Sequence, residues 1–286
     1  MGKICSYILS FLASDVLRYR KSVVRRNLLH AFPTLGDKER KEIERKFYRH
    51  LGEVVCESLS FGKYRGKKGK ERLRLAGICT MEPNRSEYEA MDGMMVLTSH
   101  CGNWEMMGGW FAYCREGSLG YSEGDITVVY KRLRSPFWDR VMSRRRLGPL
   151  MESGFDGYVE SREVLRYALE HKGEKKVYVF PTDQYPYRGA AKRDVKDFFG
   201  EGTLTMTGGA ALAHKLGMGV VYMSVKRREE GGYAMAFETI CRDASGMEPS
   251  EIMDRYYALL QRDIKAQSEN WLWSHKRWKN LYDYKH

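Results

Sequence analysis

The chain has 286 residues, 43% of them hydrophobic and 30% charged, a globular composition long enough to bury a sizeable core, which excludes a disordered or low-complexity polypeptide. Its 49 basic against 37 acidic residues leave a formal charge of +12, which favours a polyanionic partner: an anionic membrane, an acidic carrier protein, a phosphorylated glycolipid or nucleic acid. No stretch approaches the ~20 apolar residues that span a bilayer. Six scattered cysteines without CxxC spacing argue against a zinc site or a disulfide framework and fit a reducing compartment.

Ile4, Ile8, Phe11 and Leu12 share one helical face, and Arg18, Arg20, Lys21, Arg25 and Arg26 follow it. That pattern suits an interfacial helix dipping into anionic lipid, or equally a basic helix packed on its own domain. Pro33 and Gly36 break the chain; Asp37 as cap, with Glu39 in the first turn, predicts a helix from Lys38 to about Phe61. Its apolar positions Ile43, Phe47, Leu51, Val54, Val55 and Leu59 recur at core-face spacing. The Lys-, Arg- and Gly-rich run from Lys63 to Arg74 reads as an exposed connection.

A short helix near Glu87 to Met91 precedes the apolar run Met94 to Leu97, which suits a buried strand. Gly102 and Asn103 then break the pattern before a helix from Met106 to Arg115. Ile126 to Tyr130 is the next strand, followed by Lys131, Arg132 and Arg134 and a helix from Phe137 to Arg146; cations just past a strand end are well placed to hold phosphate. Ser161 to His171 is helical with Val164, Leu165 and Ala168 inward, and Val177 to Phe180 forms a third strand ending in Pro181-Thr182-Asp183-Gln184. Thr205 to Leu216 reads as a helix of small residues, Val220 to Val225 as a fourth strand and Tyr233 to Ile240 as its antiparallel return. A helix from Ser250 to about Ser268 leads into a tail rich in Trp, Lys and Arg.

His100 and Glu105 stand at opposite ends of the turn after the first buried strand, where open α/β sheets place their ligand crevices. An imidazole oriented by a carboxylate can take a proton from a hydroxyl near neutral pH. Asp183, beyond a neighbouring strand end, competes with Glu105 for that orienting role. Cys101 reads as a small turn residue, because adjacent extended residues point to opposite faces.

His100-Cys101-Gly102-Asn103-Trp104-Glu105 resembles the His-X4-Glu block of the bacterial lipid A biosynthesis acyltransferases, the lauroyl/myristoyl transferase branch of the lysophospholipid acyltransferase superfamily. Tyr130 to Pro136, Pro181 to Gln184, Phe198-Phe199-Gly200 and Trp271 to Lys279 are similar to further blocks of that family in the same order, and Asn27 to Pro33 to its entry segment. The resemblance implies an α/β fold, a mainly parallel twisted sheet wrapped by helices, lysophospholipid-acyltransferase-like, with a helical N-terminal extension over residues 1–36 and a catalytic domain over 37–286. It implies transfer of a fatty acyl group from an acyl-carrier-protein or acyl-CoA thioester to a hydroxyl of a membrane glycolipid, lipid A precursor-like, or of a phospholipid. His100, Glu105 and Asp183 would be catalytic, and Asn103, Arg134, Arg144 and Gln184 would bind substrate. Phe198, Phe199 and Gly200 would line a groove for the acyl chain, or else make ordinary core contacts.

No bound cofactor or metal is expected. The expected partners are acyl carrier protein or acyl-CoA and anionic lipid, at the cytoplasmic face of a bacterial inner membrane, with nucleic acid disfavoured for want of a motif. Two other classes remain open: an acyltransferase acting on an amine or a polyol-phosphate lipid, and a non-catalytic lipid-binding protein of the same fold.

Overall fold

The structure, a computed structural model, describes residues 2–76, 79–81, 87–88, 90–91, 93–114, 119–133, 135–147, 150, 155–187 and 192–279. Three helices lead the chain: α1 (Gly2–Phe11), continued by a π-helical turn at Leu12–Val16, α2 (Lys21–Ala31) and α3 (Asp37–Phe61). Gly36 rather than Asp37 caps α3, its N–H donating to Glu39 Oε2 at 2.7 Å. That is half of a capping box, and it leaves Asp37 as the first helical residue. α1 lies along α3 at Gly52, where a Cβ would come within 2.5 Å of the Ser6 carbonyl oxygen. Ile4, Ile8, Phe11 and Leu12 are all exposed on the far side of α1.

The basic run expected to be a connection forms α4 (Gly66–Leu75) instead. Leu73 is fully buried and Gly69 sits against the Tyr64 backbone, while Arg72 and Arg74 occupy the last turn, where the helix dipole favours cations. Composition suggested loop, but one buried leucine with two buried glycines, Gly66 and Gly69, gives the segment an inward face.

Among the described residues the main sheet contains β1 (Cys79–Met81), β2 (Met94–Thr98), β3 (Ile126–Tyr130), β4 (Tyr158–Glu160), β5 (Val177–Pro181), β8 (Gly219–Arg227) and β9 (Tyr233–Cys241). Their spatial order is β1-β9-β8-β2-β5-β3-β4. Every pairing is parallel except β8 with β9, so the late antiparallel return is as expected and the sheet is mainly parallel. β2 is buried along its whole length, as a central parallel strand covered on both faces must be. A separate hairpin, β6 (Lys192–Val195) with β7 (Thr203–Met206), takes up residues expected to begin a helix. The helix after it starts only at Gly208.

The remaining helices wrap this sheet. α5 (Trp104–Met107) and α6 (Trp110–Tyr113) divide at Gly108 and Gly109, where one continuous helix was expected. α7 (Pro136–Arg146) follows β3, with the Ser135 hydroxyl accepting from the Trp138 N–H. α8 (Val164–Glu170) buries Val164 and Ala168 but leaves Leu165 half exposed, against expectation. α9 (Gly208–Leu216) approaches the sheet closely at Gly209, where a Cβ would stand 3.1 Å from Leu97 Cδ2. α10 (Pro249–Ala266) buries Ile252, Met253, Tyr256, Tyr257, Leu260 and Ile264. The expected helix near Glu87 lies partly outside the described residues. Cys5, Cys56, Cys101 and Cys241 are free, whereas Cys114 is disulfide-bonded, a bridge that motif spacing did not reveal.

Candidate active site

β2 and β5 are neighbours, with Thr98 opposite Pro181. His100 and Asp183 each stand two residues past that pair, so the register of the sheet brings them together. The His100 ring Nδ1 lies 2.6 Å from Asp183 Oδ1, and the His100 backbone N–H donates to Oδ2 at 3.0 Å. Trp271 Nε1–H donates to the same Oδ2 at 2.7 Å. Asp183 is buried, whereas the His100 side chain keeps 17% of its surface exposed. Nδ1 therefore carries the proton toward Asp183, and Nε2, across the ring, accepts from the Gln184 amide at 3.1 Å.

Electrostatics follow the geometry. Burial would lower the His100 pKa, but the charge and hydrogen bond of Asp183 outweigh it and the net shift is upward. Burial would raise the Asp183 carboxyl, yet His100 and the Trp271 N–H hold it down to about 2. Cys101, next in the chain, is buried and its thiol is pushed well above the thiolate range by burial, so it is no nucleophile.

The turn after His100 needs glycine. Gly102 has φ of +62°, and a Cβ there would come within 2.6 Å of Val225 Cγ1 and 3.0 Å of Tyr233 Cδ1. Its N–H donates to the Asn270 carbonyl and side-chain oxygens, both at 3.1 Å. Asn103 is wholly buried: its amide donates to Glu57 Oε2 at 2.8 Å, and the Ser58 hydroxyl donates to its Oδ1 at 3.3 Å. Glu105 turns away from the imidazole ring and accepts from Arg146 Nε at 2.6 Å. Asp183 is thus the carboxylate on His100, while Glu105 holds Arg146, which acts on the ring only through space.

Both strand ends are gripped from α10. Tyr256 OH donates to the Thr98 carbonyl at 2.7 Å and Tyr257 OH to the Thr182 carbonyl at 3.2 Å. Arg277, fully buried, donates to Tyr257 OH and to Thr203 Oγ1, each at 2.8 Å. Phe198 is buried among Tyr257, Trp271 and Trp278, and Phe199 packs against Phe198 and Trp278. Gly200, at φ of +80°, donates its N–H to Asp197. The C-terminal segment is docked in turn by α2, where Asn27 Nδ2 donates to the carbonyls of Trp273 and His275.

His100, Asp183 and Gln184 are thus brought together, with Glu105 and Asn103 on the same turn. Phe198, Phe199 and Gly200 belong to the aromatic block beneath Asp183. Arg144 is exposed on α7, and Arg134 lies outside the described residues. Sequence reasoning placed Trp271 in a matched block without a role for it, and gave none to Arg146, Glu57 or the Tyr256–Tyr257 pair. Beyond β3 and β4, a cleft of about 240 Å³ is lined by Lys131, Arg132, Glu160, Ser161, Arg162 and Tyr187. Lys131 Nζ stands 3.7 Å above the Tyr187 ring there. Among the described residues no group of three or more His, Cys, Asp or Glu is placed to hold a metal ion.

A histidine with one nitrogen fixed by a buried carboxylate and a lone pair on the other is equipped to move a proton at a bound hydroxyl. Among solved structures the chain is similar to the 1-acyl-sn-glycerophosphate (LPA) acyltransferase PlsC from Thermotoga maritima, at 16% identity over 95% of this chain and 100% of that one, with a TM-score of 0.36. No curated protein matches it in sequence. The profile of the bacterial lipid A biosynthesis acyltransferases matches residues 3–280, and the chain belongs to that family of acyltransferases.

Proposed function

We propose that this acyltransferase moves a fatty acyl group from an acyl-carrier-protein or acyl-CoA thioester to a hydroxyl of a membrane glycolipid, lipid A precursor-like, or of a phospholipid. The observation that carries the reading is the 2.6 Å contact between His100 Nδ1 and buried Asp183, which leaves Nε2 bonded only to the Gln184 amide among the described residues. The acceptor hydroxyl displaces the Gln184 amide from Nε2 and loses its proton to His100 as its oxygen attacks the thioester carbonyl. The tetrahedral adduct collapses with loss of the thiolate, which recovers the proton from His100. Arg146, held by Glu105 and close enough to weigh on His100, supplies positive charge to the developing oxyanion.

The cleft bearing Lys131, Arg132 and Arg162 is suited to a phosphate of donor or acceptor, since it opens at the carboxyl ends of parallel strands. Among the described residues no helix is long and apolar enough to cross a membrane. The exposed apolar face of α1, with the cations that follow it, supports interfacial attachment at the cytoplasmic face of a bacterial inner membrane.

The test is acyl transfer by the purified protein with labelled acyl carrier protein or acyl-CoA and a bacterial lipid extract, comparing wild type with His100→Ala. Loss of product in the folded variant is expected, by about 100-fold or more, and the labelled lipid names the acceptor. Undiminished transfer by His100→Ala would remove the histidine from the mechanism.

A further inference from the structure

We propose that Glu57, on α3, is a positioning residue for acyl transfer, fixing the His100–Glu105 turn through Asn103 and Tyr233. This rests on the acyl-transfer reading of the site.

The turn is held at several points, among them a backbone bridge from Cys101 to Trp271. His100 is bound to Asp183 by ring and backbone, and the Gly102 N–H is bound by Asn270. A further point is Asn103, whose amide nitrogen is held by Glu57 and whose oxygen is held by the Ser58 hydroxyl. Glu57 Oε2 accepts from Asn103 Nδ2 at 2.8 Å and from Tyr233 OH at 2.7 Å. The Tyr233 ring is also part of the wall on which Gly102 rests. A single carboxylate oxygen therefore joins the side chain of the turn to the surface behind it, although Asn103 and Tyr233 lie far apart in sequence.

Withdrawing such a carboxylate partly from water is costly, and that desolvation raises the Glu57 pKa against the two hydrogen bonds that lower it. An apolar side chain would fill the same space without that cost, but it could not accept two hydrogen bonds at one point. Facing Glu57 on the other side are Glu53 and its ion-pair partner Arg227. His50, one further α3 residue near Arg227, is kept neutral by burial.

Asn103 also opens α5, its carbonyl accepting from the Met106 N–H at 3.0 Å, and α5 carries the Glu105 that holds Arg146. Displacing Asn103 would thus move both the imidazole and the arginine relative to a bound thioester. A misplacement near 1 Å costs about 100-fold in rate. The charges acting on the His100 ring are those of Asp183, Glu105 and Arg146, so the loss of Glu57 should disturb geometry and leave proton affinity alone.

Glu57→Leu, Glu57→Gln and Tyr233→Phe are compared with wild type by steady-state transfer, pH profile and amide hydrogen exchange over residues 100–105. Glu57→Leu, folded by circular dichroism, should lose about 10- to 100-fold in kcat. Its donor KM should stay within about threefold, its pH midpoint should be unmoved, and exchange at the turn should quicken. Glu57→Gln, whose carbonyl oxygen can accept both hydrogen bonds, should recover most of the loss. Full kcat in Glu57→Leu, a loss carried by KM, or equal impairment in Glu57→Gln would overturn the proposal. Should Glu57→Leu not fold, Tyr233→Phe removes one of the two bonds alone, and unchanged kcat and exchange there would overturn it equally. A wild-type protein that transfers no acyl group would sink the acyl-transfer reading itself; unchanged exchange in the variants would then dispose of the anchor separately.

Discussion

At His100 two opposing influences set the proton affinity of the ring. Burial favours the neutral form, the Asp183 carboxylate favours the charged one, and the carboxylate prevails. A general base must be neutral, so transfer should rise with pH along a limb whose midpoint lies above the ordinary histidine value of about 6.5. In Asp183→Asn the opposing charge is gone and burial prevails. The midpoint should then fall below that of wild type, with kcat lowered by about 100-fold or more. A pH–rate profile of both proteins checks this, and a midpoint unmoved by the substitution would count against the pairing. Stability follows the same pair with opposite signs. The Asp183 contribution is present above its ordinary value and is lost as pH falls toward about 2. The His100 contribution is complete below its ordinary value and is lost as pH rises through the raised one. His100, Glu105 and Asp183 could all be read from the sequence, but not which carboxylate meets the ring. Glu105 is nearer in the chain and Asp183 is nearer in space.

That choice belongs to the order of the elements. β5 pairs with β2, although β3 and β4 intervene in the chain, and no local pattern encodes this order. α3 and α10 were legible because their apolar periods run over many residues, and β2, β3, β5, β8 and β9 as apolar runs bounded by breaks in the pattern. The three- and four-residue strands β1, β4, β6 and β7 were not, being too short to show alternation. The N-terminal face illustrates the same limit, for its apolar period was legible while its burial was not. Packing at Gly52 shows which side of α1 faces out, and both readings of α1, an interfacial helix and a basic helix packed on its own domain, agree with it. Ile8 and Phe11 are 54% and 60% exposed. An apolar side chain moved from water into lipid contributes about 1.5–3 kcal/mol. Ile8→Ser should accordingly weaken binding to anionic vesicles by about tenfold or more and leave the melting temperature nearly unchanged. Co-sedimentation and thermal melting measure the two effects, and vesicle binding equal to wild type would show that this face does not enter the lipid.

Over the whole molecule, the proposed membrane attachment should draw on two separable features, the +12 charge and the apolar face of α1. Charge attraction to anionic headgroups acts at a distance and is screened over about 8–10 Å near physiological ionic strength. Insertion of apolar side chains depends on contact and is nearly indifferent to moderate salt. Raising salt from about 50 to 300 mM shortens the screening length by more than half, so wild-type binding to anionic vesicles should fall severalfold, and binding to zwitterionic vesicles should start weak and barely change. Ile8→Ser should bind less at every salt concentration yet show the same slope, because its charge is that of wild type. Parallel slopes would mean that the basic surface recruits the protein while α1 retains it. A variant that lost the salt dependence together with the affinity would tie both contributions to α1 alone and leave the rest of the basic surface to the carrier protein or the nucleotide of the donor.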